Sequence, residues 1–302
     1  MNRLNVSIGV CAYNEEANIG RLLESLQHQR CNRIEIAQIV VVSSAFHDRT
    51  DEIVESFRES DNRIELIKQP ERRGKASAVN LFLKAGGGDV CILVSADTIP
   101  LDDAIEQLCL PFFEETVGMT GGHPIPVNDP LTFMGFVSHL IWQLAHEVSM
   151  IEPKLGEFVA FRNIVDKIPE DTAVDEASIE AKVREQEYDL RYVPEALIYN
   201  RGPDKVSDFI KRHRCNYTGH LYLKKTTGYK VSSMGSFRLL KLVARTLNLN
   251  WRSILWTPAA VVLEFYARIL GTYDFYIKRK NIYIWDIASS TKVVTKGDHD
   301  EN

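Results

Sequence analysis

Short apolar runs alternate with segments of helical periodicity over the first 125 residues. The apolar runs predict strands at residues 5–11, 39–42, 63–68 and 90–94. Strands that alternate with helices predict a parallel sheet with right-handed crossovers. Such sheets bind ligands beyond the carboxyl ends of their strands. We therefore expect one crevice to be lined by the loops at residues 11–15, 43–48 and 95–98.

The helices and the later strands follow from the same patterns. The first helix has its apolar face at Ile19, Leu22, Leu23 and Leu26, with Asn14 as the predicted N-cap. Two further helices are predicted near residues 50–57 and 74–85. Beyond residue 120 we predict a turn at 121–124, an apolar helix over 131–151, a strand over 157–161, an exposed helix over 175–186, a strand over 191–199 and a basic helix over 205–224.

The charge of the chain is unevenly distributed. The 302 residues carry a net charge of −5, but residues 201–282 contain 16 Lys and Arg against four Asp and Glu. This positive charge indicates an anionic partner: substrate phosphates, a membrane surface or nucleic acid. The alternative is a solvated charged face. The five cysteines form no CxxC pair, which indicates a reducing compartment and argues against a zinc site.

Apolar segments long enough to cross a membrane are not evident in the sequence. No run of signal-peptide length opens the chain. The two most apolar segments, residues 130–146 and 253–263, fall short of the ~20 apolar residues that a span requires. Pro258 interrupts the second segment and Glu264 ends it. We therefore expect no transmembrane helix.

A carboxylate at the end of the fourth strand is the strongest candidate for chemistry. Asp97 follows the fully apolar run VCILV, and an oxygen ligand there suits Mg²⁺ or Mn²⁺ bound against a diphosphate. The alternative is a turn aspartate before Pro100. His220 is a weaker candidate for a metal ligand, and the pattern is equally consistent with no role for it.

Other charged residues stand where either chemistry or ordinary stabilisation would place them. Asp175 and Glu176 begin a predicted helix, where acids also interact favourably with the helix dipole. Arg212 and Arg214 suit phosphate contacts, or else form a cationic face. Lys75 follows Gly74 at a helix start whose amides could face phosphate.

A series of motifs, in order, resembles segments of the inverting nucleotide-sugar glycosyltransferases of family 2. VCAYNEE resembles the (P/A)xYNEE opening, VSSAFHDRT the second-strand loop, RGKASAVN the RGKxxAxN segment and SAD the DxD metal motif. The pair Gly121-Gly122 and the segment FVAFR resemble acceptor-side segments, Asp175-Glu176 takes the place of the catalytic-base acid, and KRHRCNYTG resembles a degenerate Q(R/Q)xRW segment. The resemblance covers about residues 5–225.

The resemblance implies a set of site residues. The nucleotide sugar, a UDP- or GDP-sugar, is expected to contact Ala12, Tyr13, Glu15, Ser43, Ser44, Lys75, Ser95, Ala96 and Asp97. Asp97, with His220, is implied to bind Mg²⁺ or Mn²⁺, and Asp175 to be the catalytic base. Phosphate or acceptor contacts are implied for Arg212, Arg214, Gly122 and Glu176.

The sequence departs from the family pattern in three of these motifs. Ser95 replaces the first acid of DxD, so fewer protein ligands are expected for the metal. Ser43 and Ser44 replace the acids that often read a uracil edge, so UDP is not favoured over GDP. Cys215 replaces the tryptophan of Q(R/Q)xRW, which favours transfer of one or a few sugars over processive synthesis.

The implied architecture is α/β: a single Rossmann-like domain of the type A fold, GT-A, over residues 1–225, with a mainly parallel mixed sheet flanked by helices. Residues 226–302 are expected to form a basic, amphipathic helical extension with a polar tail. Apolar and basic residues interleave over 237–247, and Trp251, Trp256 and Phe265 supply interfacial aromatics. This predicts peripheral membrane contact; the alternatives are a cap on the catalytic body or a homo-oligomer interface.

The predicted function is inverting transfer of a sugar from a nucleotide donor to a hydroxyl acceptor, lipid-linked or a glycan intermediate, at the cytoplasmic face of a membrane and without a nucleic-acid partner. A sugar nucleotidyltransferase is one competitor, but residues 11–14 lack its GxGxR-type turn. A non-catalytic module that binds nucleotide sugar or lipid is another, because Ser44 and Ser95 stand where acids are expected.

Overall fold

The computed structural model describes residues 3–44, 47–231, 250–279, 281, 283 and 284. Its strands are β1 (Leu4–Ala12), β2 (Ile34–Ser44), β3 (Ile64–Gln69), β4 (Val90–Ser95), β5 (Thr98–Pro100), β6 (Val117–Pro126), β7 (Phe158–Arg162) and β8 (Asp189–Asn200). Its helices are α1 (Ile19–Gln27), α2 (Thr50–Ser60), α3 (Lys75–Ala85), α4 (Ala104–Cys109), α5 (Phe133–Ser149), α6 (Asp175–Glu185), α7 (Val206–Thr227) and α8 (Trp251–Tyr273). A 3₁₀ turn at Leu110–Phe113 follows α4, and a π-helical turn at Asp274–Lys278 follows α8.

The strands form one sheet in the order β3-β2-β1-β4-β7-β6-β8-β5. The first four neighbours pair in parallel and alternate with helices along the chain. Their apolar runs are continuous because both faces of the sheet are covered. Ile39 and Val41 of β2 pack into one core cluster, while Val40 and Val42 pack into the cluster on the opposite face.

The second half of the sheet mixes strand directions. β7 runs antiparallel to both β4 and β6, β8 pairs in parallel with β6, and β5 runs antiparallel to β8. The predicted α/β class, with a mainly parallel mixed sheet flanked by helices and followed by a C-terminal helix, is confirmed. The antiparallel β7 brings the loop before it, around Glu157, to the same edge of the sheet as the end of β4.

Three local predictions are wrong. Asn14 has a φ of 52° and does not cap α1; the chain turns once more, and the amides of Asn18 and Ile19 bond to the carbonyl of Glu15. Residues 121–124 lie inside β6, where pairing with β7 and β8 overrides the turn tendency of Gly-Gly. Helix α6, predicted to be exposed, is largely buried: Ile179 and Val183 pack into the core, and the acids of its first turn face a cleft.

Helix α8 packs against α5 and α7 through small residues. Ser253, Thr257, Ala260, Ala267 and Gly271 are its buried positions. The prediction that Pro258 and Glu264 limit this apolar segment is wrong, since the helix continues through both. Ala260 is buried in a cluster with residues of α5 and α7 that holds the helix next to the proline. The charge of Glu264 is tolerated because His213 Nδ1 and Arg268 Nε lie 2.6 and 2.7 Å from its oxygens.

The helical segment Trp251–Lys278 has 28 residues and a mean hydropathy of 1.3 in its most apolar window. By length and composition alone it is long and apolar enough to cross a membrane, contrary to the expectation from sequence. Only 22% of that window is buried. The predicted amphipathic segment at residues 237–247 and the polar tail lie outside the described residues.

Candidate active site

A cleft of about 580 Å³ opens at the carboxyl ends of β1 and β4. The starts of α3 and α6, the loop before β7 and one side of α7 complete its walls. Among the predicted site residues, those that line it are Ala12, Tyr13, Glu15, Ser44, Lys75, Ser95, Ala96, Asp97, Gly122, Asp175, Glu176, Arg212, Arg214 and His220. Ser43 does not line it: this residue is buried within β2, between Ala12 of β1 and Lys68 of β3.

An ion cluster joins α3 to α6 at the floor of the cleft. Lys75 Nζ lies 2.9 Å from Asp175 Oδ2 and donates a 2.6 Å hydrogen bond to Glu176 Oε1. The backbone of Gly74 has a φ of 90°, which favours glycine, and this turn places Lys75 first in α3. A cation is unfavourable at a helix N-terminus. The two carboxylates of α6 offset that cost.

The two acids of the cluster are electrostatically different. Burial raises the pKa of Asp175 to about 6, assisted by the charge of Glu176 and opposed by Lys75. Lys75 holds the pKa of Glu176 below its usual range in spite of burial. At neutral pH the pair therefore contains a firmly ionised Glu176 and an Asp175 poised to accept a proton.

Asp97 lies in the cleft directly after β4, as predicted. Burial raises the pKa of its carboxyl, and Glu15 raises it further, while Arg212 and Lys75 oppose the shift. Arg212 itself is ion-paired with Glu157, from the loop before β7. The cleft thus holds two carboxylates, Asp97 and Glu15, that act on each other and favour a bound cation.

A divalent cation bound by Asp97 needs further oxygen ligands from a bound substrate or from water to complete its coordination shell. Within the described ranges, no three His, Cys, Asp or Glu side chains converge closely enough to hold a metal by themselves. Mg²⁺ is usually held by one or two carboxylates together with waters and substrate phosphates. The donor set of this cleft fits that mode of binding.

The remaining predicted residues have diverse environments. Arg214 pairs with Asp274, whose carboxylate is fully buried, so its guanidinium also ties α7 to the end of α8. His220 is neutral, since burial and the charges of Lys154 and Arg268 lower its pKa to about 4.

The Ser44 hydroxyl donates a 2.8 Å hydrogen bond to Gln69 Oε1 of β3, and this bond fixes the orientation of the hydroxyl. Elsewhere in the cleft, the Arg72 guanidinium lies 4.2 Å from the centre of the Tyr13 ring.

One wall of the cleft, beside Gly122, contains residues that sequence reasoning mostly missed; only His123 was a weak candidate, as a metal ligand. The rings of His123 and His146 stack with centres 4.4 Å apart, and His146 Nδ1 lies 2.9 Å from the Tyr192 hydroxyl. Trp142 and Lys154 line the same wall. These residues come from α5, β6, β8 and a loop, and no sequence spacing links them. Two signals in the sequence pointed to this wall: the apolar helix over residues 131–151, and Gly122, where a Cβ would meet Phe158 Cδ1 at 2.4 Å, so only glycine fits there.

Two solved structures of glycosyltransferases share the fold of this chain. The mannosyltransferase PcManGT of Pyrobaculum calidifontis, solved with GDP-Man and Mn²⁺, matches 92% of this chain and 88% of that chain with a TM-score of 0.66 and 20% identity. The glucosyl-3-phosphoglycerate synthase of Mycobacterium tuberculosis, solved with Mg²⁺ and UDP, matches 74% of this chain and 80% of that chain with a TM-score of 0.53 and 17% identity. The fold is that of the GT-A glycosyltransferases.

The sequence profile of glycosyl transferase family 2 matches residues 7–181, more than half of the chain, and the protein belongs to this family. The predicted family is thereby confirmed. A sequence relative is the poly-beta-1,6-N-acetyl-D-glucosamine synthase of Staphylococcus aureus, 24% identical over 228 residues, which cover 70% of this chain and 53% of the relative. The chain spans about a third to about half of the length of the curated relatives it matches.

Proposed function

We propose that the protein transfers a sugar from a UDP- or GDP-sugar to a hydroxyl acceptor with inversion at the anomeric carbon. The observation that carries the proposal is the meeting, in one cleft, of Asp97 beyond β4 and the Lys75–Asp175–Glu176 cluster of α3 and α6. Asp175 is the general base for the acceptor hydroxyl, because a raised pKa lets it take a proton near neutral pH. The nucleotides bound in the two solved neighbours, GDP-Man and UDP, support a nucleoside-diphosphate sugar as the donor.

Asp97 is the protein ligand we propose for Mg²⁺ or Mn²⁺. When bound, the metal neutralises charge on the leaving diphosphate. Arg212 faces the same region, and its charge acts on Asp97. Its pairing with Glu157 holds the guanidinium in place beside the expected diphosphate. His220 remains a proposed additional ligand, since its buried Nδ1 has no hydrogen-bond partner among the described residues.

The test is the variant Asp175→Asn, compared with Asp166→Asn, an exposed aspartate outside the cleft. Release of nucleoside diphosphate from UDP- and GDP-sugars, with water or an added glycan as acceptor, measures turnover. We expect Asp175→Asn to lose turnover by at least about a hundredfold, the usual contribution of a general base, while sugar-nucleotide binding persists. Near wild-type turnover in this variant would remove Asp175 from the role.

A peripheral contact with the cytoplasmic face of a membrane is the second part of the proposal. The outward side of α8 and the following turn, here called the α8 stripe, repeats apolar residues at helical spacing: Trp251, Leu255, Val262, Phe265, Ile269, Tyr273 and Tyr276, each about half exposed or more. At 1.5 Å per residue the helical segment is about 40 Å long. The charges of Glu264, Arg268 and Asp274 are instead paired within the protein.

This distribution favours a helix that lies in the membrane interface with the α8 stripe in the lipid. Helix α7 contacts α8 and also lines the cleft, so a lipid-linked hydroxyl acceptor in the lipid at the α8 stripe would lie close to the cleft. A glycan intermediate is the other acceptor class. An interface between two copies of this chain would also cover the stripe.

Sedimentation with vesicles of phosphatidylcholine and phosphatidylglycerol tests the membrane contact. The double variant Phe265→Ser and Ile269→Ser is expected to partition at least about tenfold more weakly, because each side chain contributes ~1.5–3 kcal/mol when fully buried. The control Phe113→Ser removes an exposed aromatic residue that lies outside α8, in the 3₁₀ turn after α4, beside Arg33. Equal sedimentation of the double variant and the control, or a dimer that dissociates in the double variant, would overturn the membrane assignment.

A further inference from the structure

One wall of the cleft consists of aromatic rings that the proposed chemistry does not use. The rings, here called the aromatic wall, belong to His123, Trp142, His146 and Tyr192, and all four residues line the cleft. The His123 and His146 rings stack with an angle of 17° between their planes and centres 4.4 Å apart. The centre of the Tyr192 ring lies 5.6 Å from that of His146 and 6.2 Å from that of His123. These three rings therefore form one continuous surface.

Helix α5 turns one of its faces into the cleft and thereby adds Trp142 to this surface. Trp142, Ala145, His146 and Ser149 line the cleft and recur at the spacing of one helix face. Another face of α5, which includes Leu140, is buried in a cluster with residues of α7 and α8. That packing fixes the rotation of the helix, so Trp142 stands one helical turn from His146 on the cleft side.

The aromatic wall offers hydrogen-bonding groups to a ligand. The Tyr192 hydroxyl and His146 Nδ1 share a 2.9 Å hydrogen bond, and within the described ranges of the chain His146 Nε2 makes no hydrogen bond. Trp142 brings an indole N–H donor. Burial and the neighbouring His146 lower the pKa of His123, so its ring is uncharged at neutral pH. Lys154 also lines the cleft, and burial lowers the pKa of its ammonium.

The order of the strands places the aromatic wall across the cleft from the expected donor. Tyr13 directly follows β1 and Ser44 ends β2, whereas His123 belongs to β6 and Tyr192 to β8. In the order β2-β1-β4-β7-β6-β8, two strands separate β1 from β6. Neighbouring strands are about 4.8 Å apart, so β6 lies ~10 Å from β4, the strand that Asp97 follows. A molecule on the wall would thus lie beside the reacting centre without overlapping the donor.

The chemistry of the aromatic wall matches a sugar ring. A pyranose carries C–H groups on its faces and hydroxyls around its edge. It can therefore pack flat on aromatic rings while its hydroxyls bond to nitrogen and oxygen atoms beside them. An acyl chain would cover the rings but leave His146 Nε2 and the indole N–H of Trp142 without partners, which is unfavourable.

We propose that the aromatic wall binds a sugar ring of the acceptor, so that the donor sugar is transferred to a hydroxyl of another sugar. The inference rests on the proposed function in naming this molecule an acceptor. The acceptor oxygen forms the new bond to the anomeric carbon, the bond from that carbon to the diphosphate breaks, and the diphosphate leaves with the electron pair. Asp175 takes the hydroxyl proton. Trp142 and His146 are binding residues that set acceptor specificity.

Methyl glycosides of glucose, galactose, mannose and N-acetylglucosamine are the probes for this subsite. The full chain is first saturated with Mg²⁺ and with UDP or GDP, whichever raises the melting temperature, and each glycoside is then titrated by saturation-transfer NMR. We expect at least one glycoside to bind with the nucleotide in place. Trp142→Ala and His146→Ala should weaken it about tenfold, and Trp142→Phe should retain most of the affinity. His28→Ala, which removes an exposed histidine outside the cleft, is the control.

Three results would overturn the proposal: no glycoside bound by a chain that binds nucleotide, equal affinity in folded Trp142→Ala and the control, or displacement of the glycoside by the nucleotide. Tighter binding of glucose 1-phosphate than of methyl glucoside, unaffected by Trp142→Ala, would also overturn it, because the recognised group would then be the phosphate. A chain that binds no nucleotide refutes the proposed function instead, and the glycoside titration is then read on the free protein.

The same titration separates two sources of the acceptor sugar. Octyl glycosides, used below their critical micelle concentration, extend the probe with an apolar chain. If they bind more tightly than the methyl glycosides, and Trp142→Ala weakens both, the sugar belongs to a lipid-linked acceptor. Equal binding of octyl and methyl glycosides, again dependent on Trp142, identifies a free glycan.

Discussion

Removal of the charge of Glu176 should shift the pH dependence of turnover in a calculable direction. Asp175 and Glu176 contact the same ammonium, with Lys75 Nζ at 2.9 and 2.6 Å, so their charges lie close together. At a separation of about 5 Å and an effective dielectric constant of about 20, two unit charges interact by about 3 kcal/mol, or about 2 pKa units. Glu176→Gln removes this repulsion and leaves Lys75 to Asp175 alone, so the pKa of Asp175 falls from about 6 toward its usual range.

A base must be ionised to act, so wild-type turnover should rise with pH through an apparent pKa of about 6 that belongs to the coupled pair. In Glu176→Gln the acidic limb should move to lower pH by up to about 2 units. The assay is the pH profile of kcat/KM for release of nucleoside diphosphate, with carboxyl-carbon NMR as a readout independent of turnover. An acidic limb that stays in place, or moves to higher pH, would refute the assignment of Asp175 as the base.

Three further outcomes follow from the structure. Asp97→Asn should abolish the additional rise in melting temperature that Mn²⁺ gives in the presence of UDP or GDP; an undiminished rise would assign the metal elsewhere. Gly122→Ala should lower the free energy of unfolding by about 1–3 kcal/mol in urea titrations, because its Cβ would overlap Phe158; an unchanged midpoint would contradict this. Arg214→Met should destabilise by about 1–3 kcal/mol, since buried Asp274 loses its guanidinium partner and keeps only Lys278, whose Nζ lies 3.7 Å away; Asp274→Asn added to it should recover part of the loss.

The parallel half of the fold could be predicted from sequence because its signals are local. A continuous apolar run such as VCILV predicts a strand that is buried on both faces, whichever strands pair with it. The spacing of Ile19, Leu22 and Leu26 likewise specifies one face of a helix. Asn14 failed as an N-cap because hydrogen bonds to a neighbouring loop decide the backbone there: its Oδ1 accepts from the amide of His47. The turn predicted at Gly121 failed because long-range strand pairing outweighed local tendency.

By itself, the sequence determined the class of fold, the order of the family motifs and the loops that face the cleft, since each depends on residues close together in the chain. Only the tertiary structure decided the charge states of the cleft. Lys75 and Asp175 lie 100 positions apart, and their ion pair sets which acid is poised to take a proton. Burial and charge proximity are properties of the folded chain, and no spacing in the sequence encodes them.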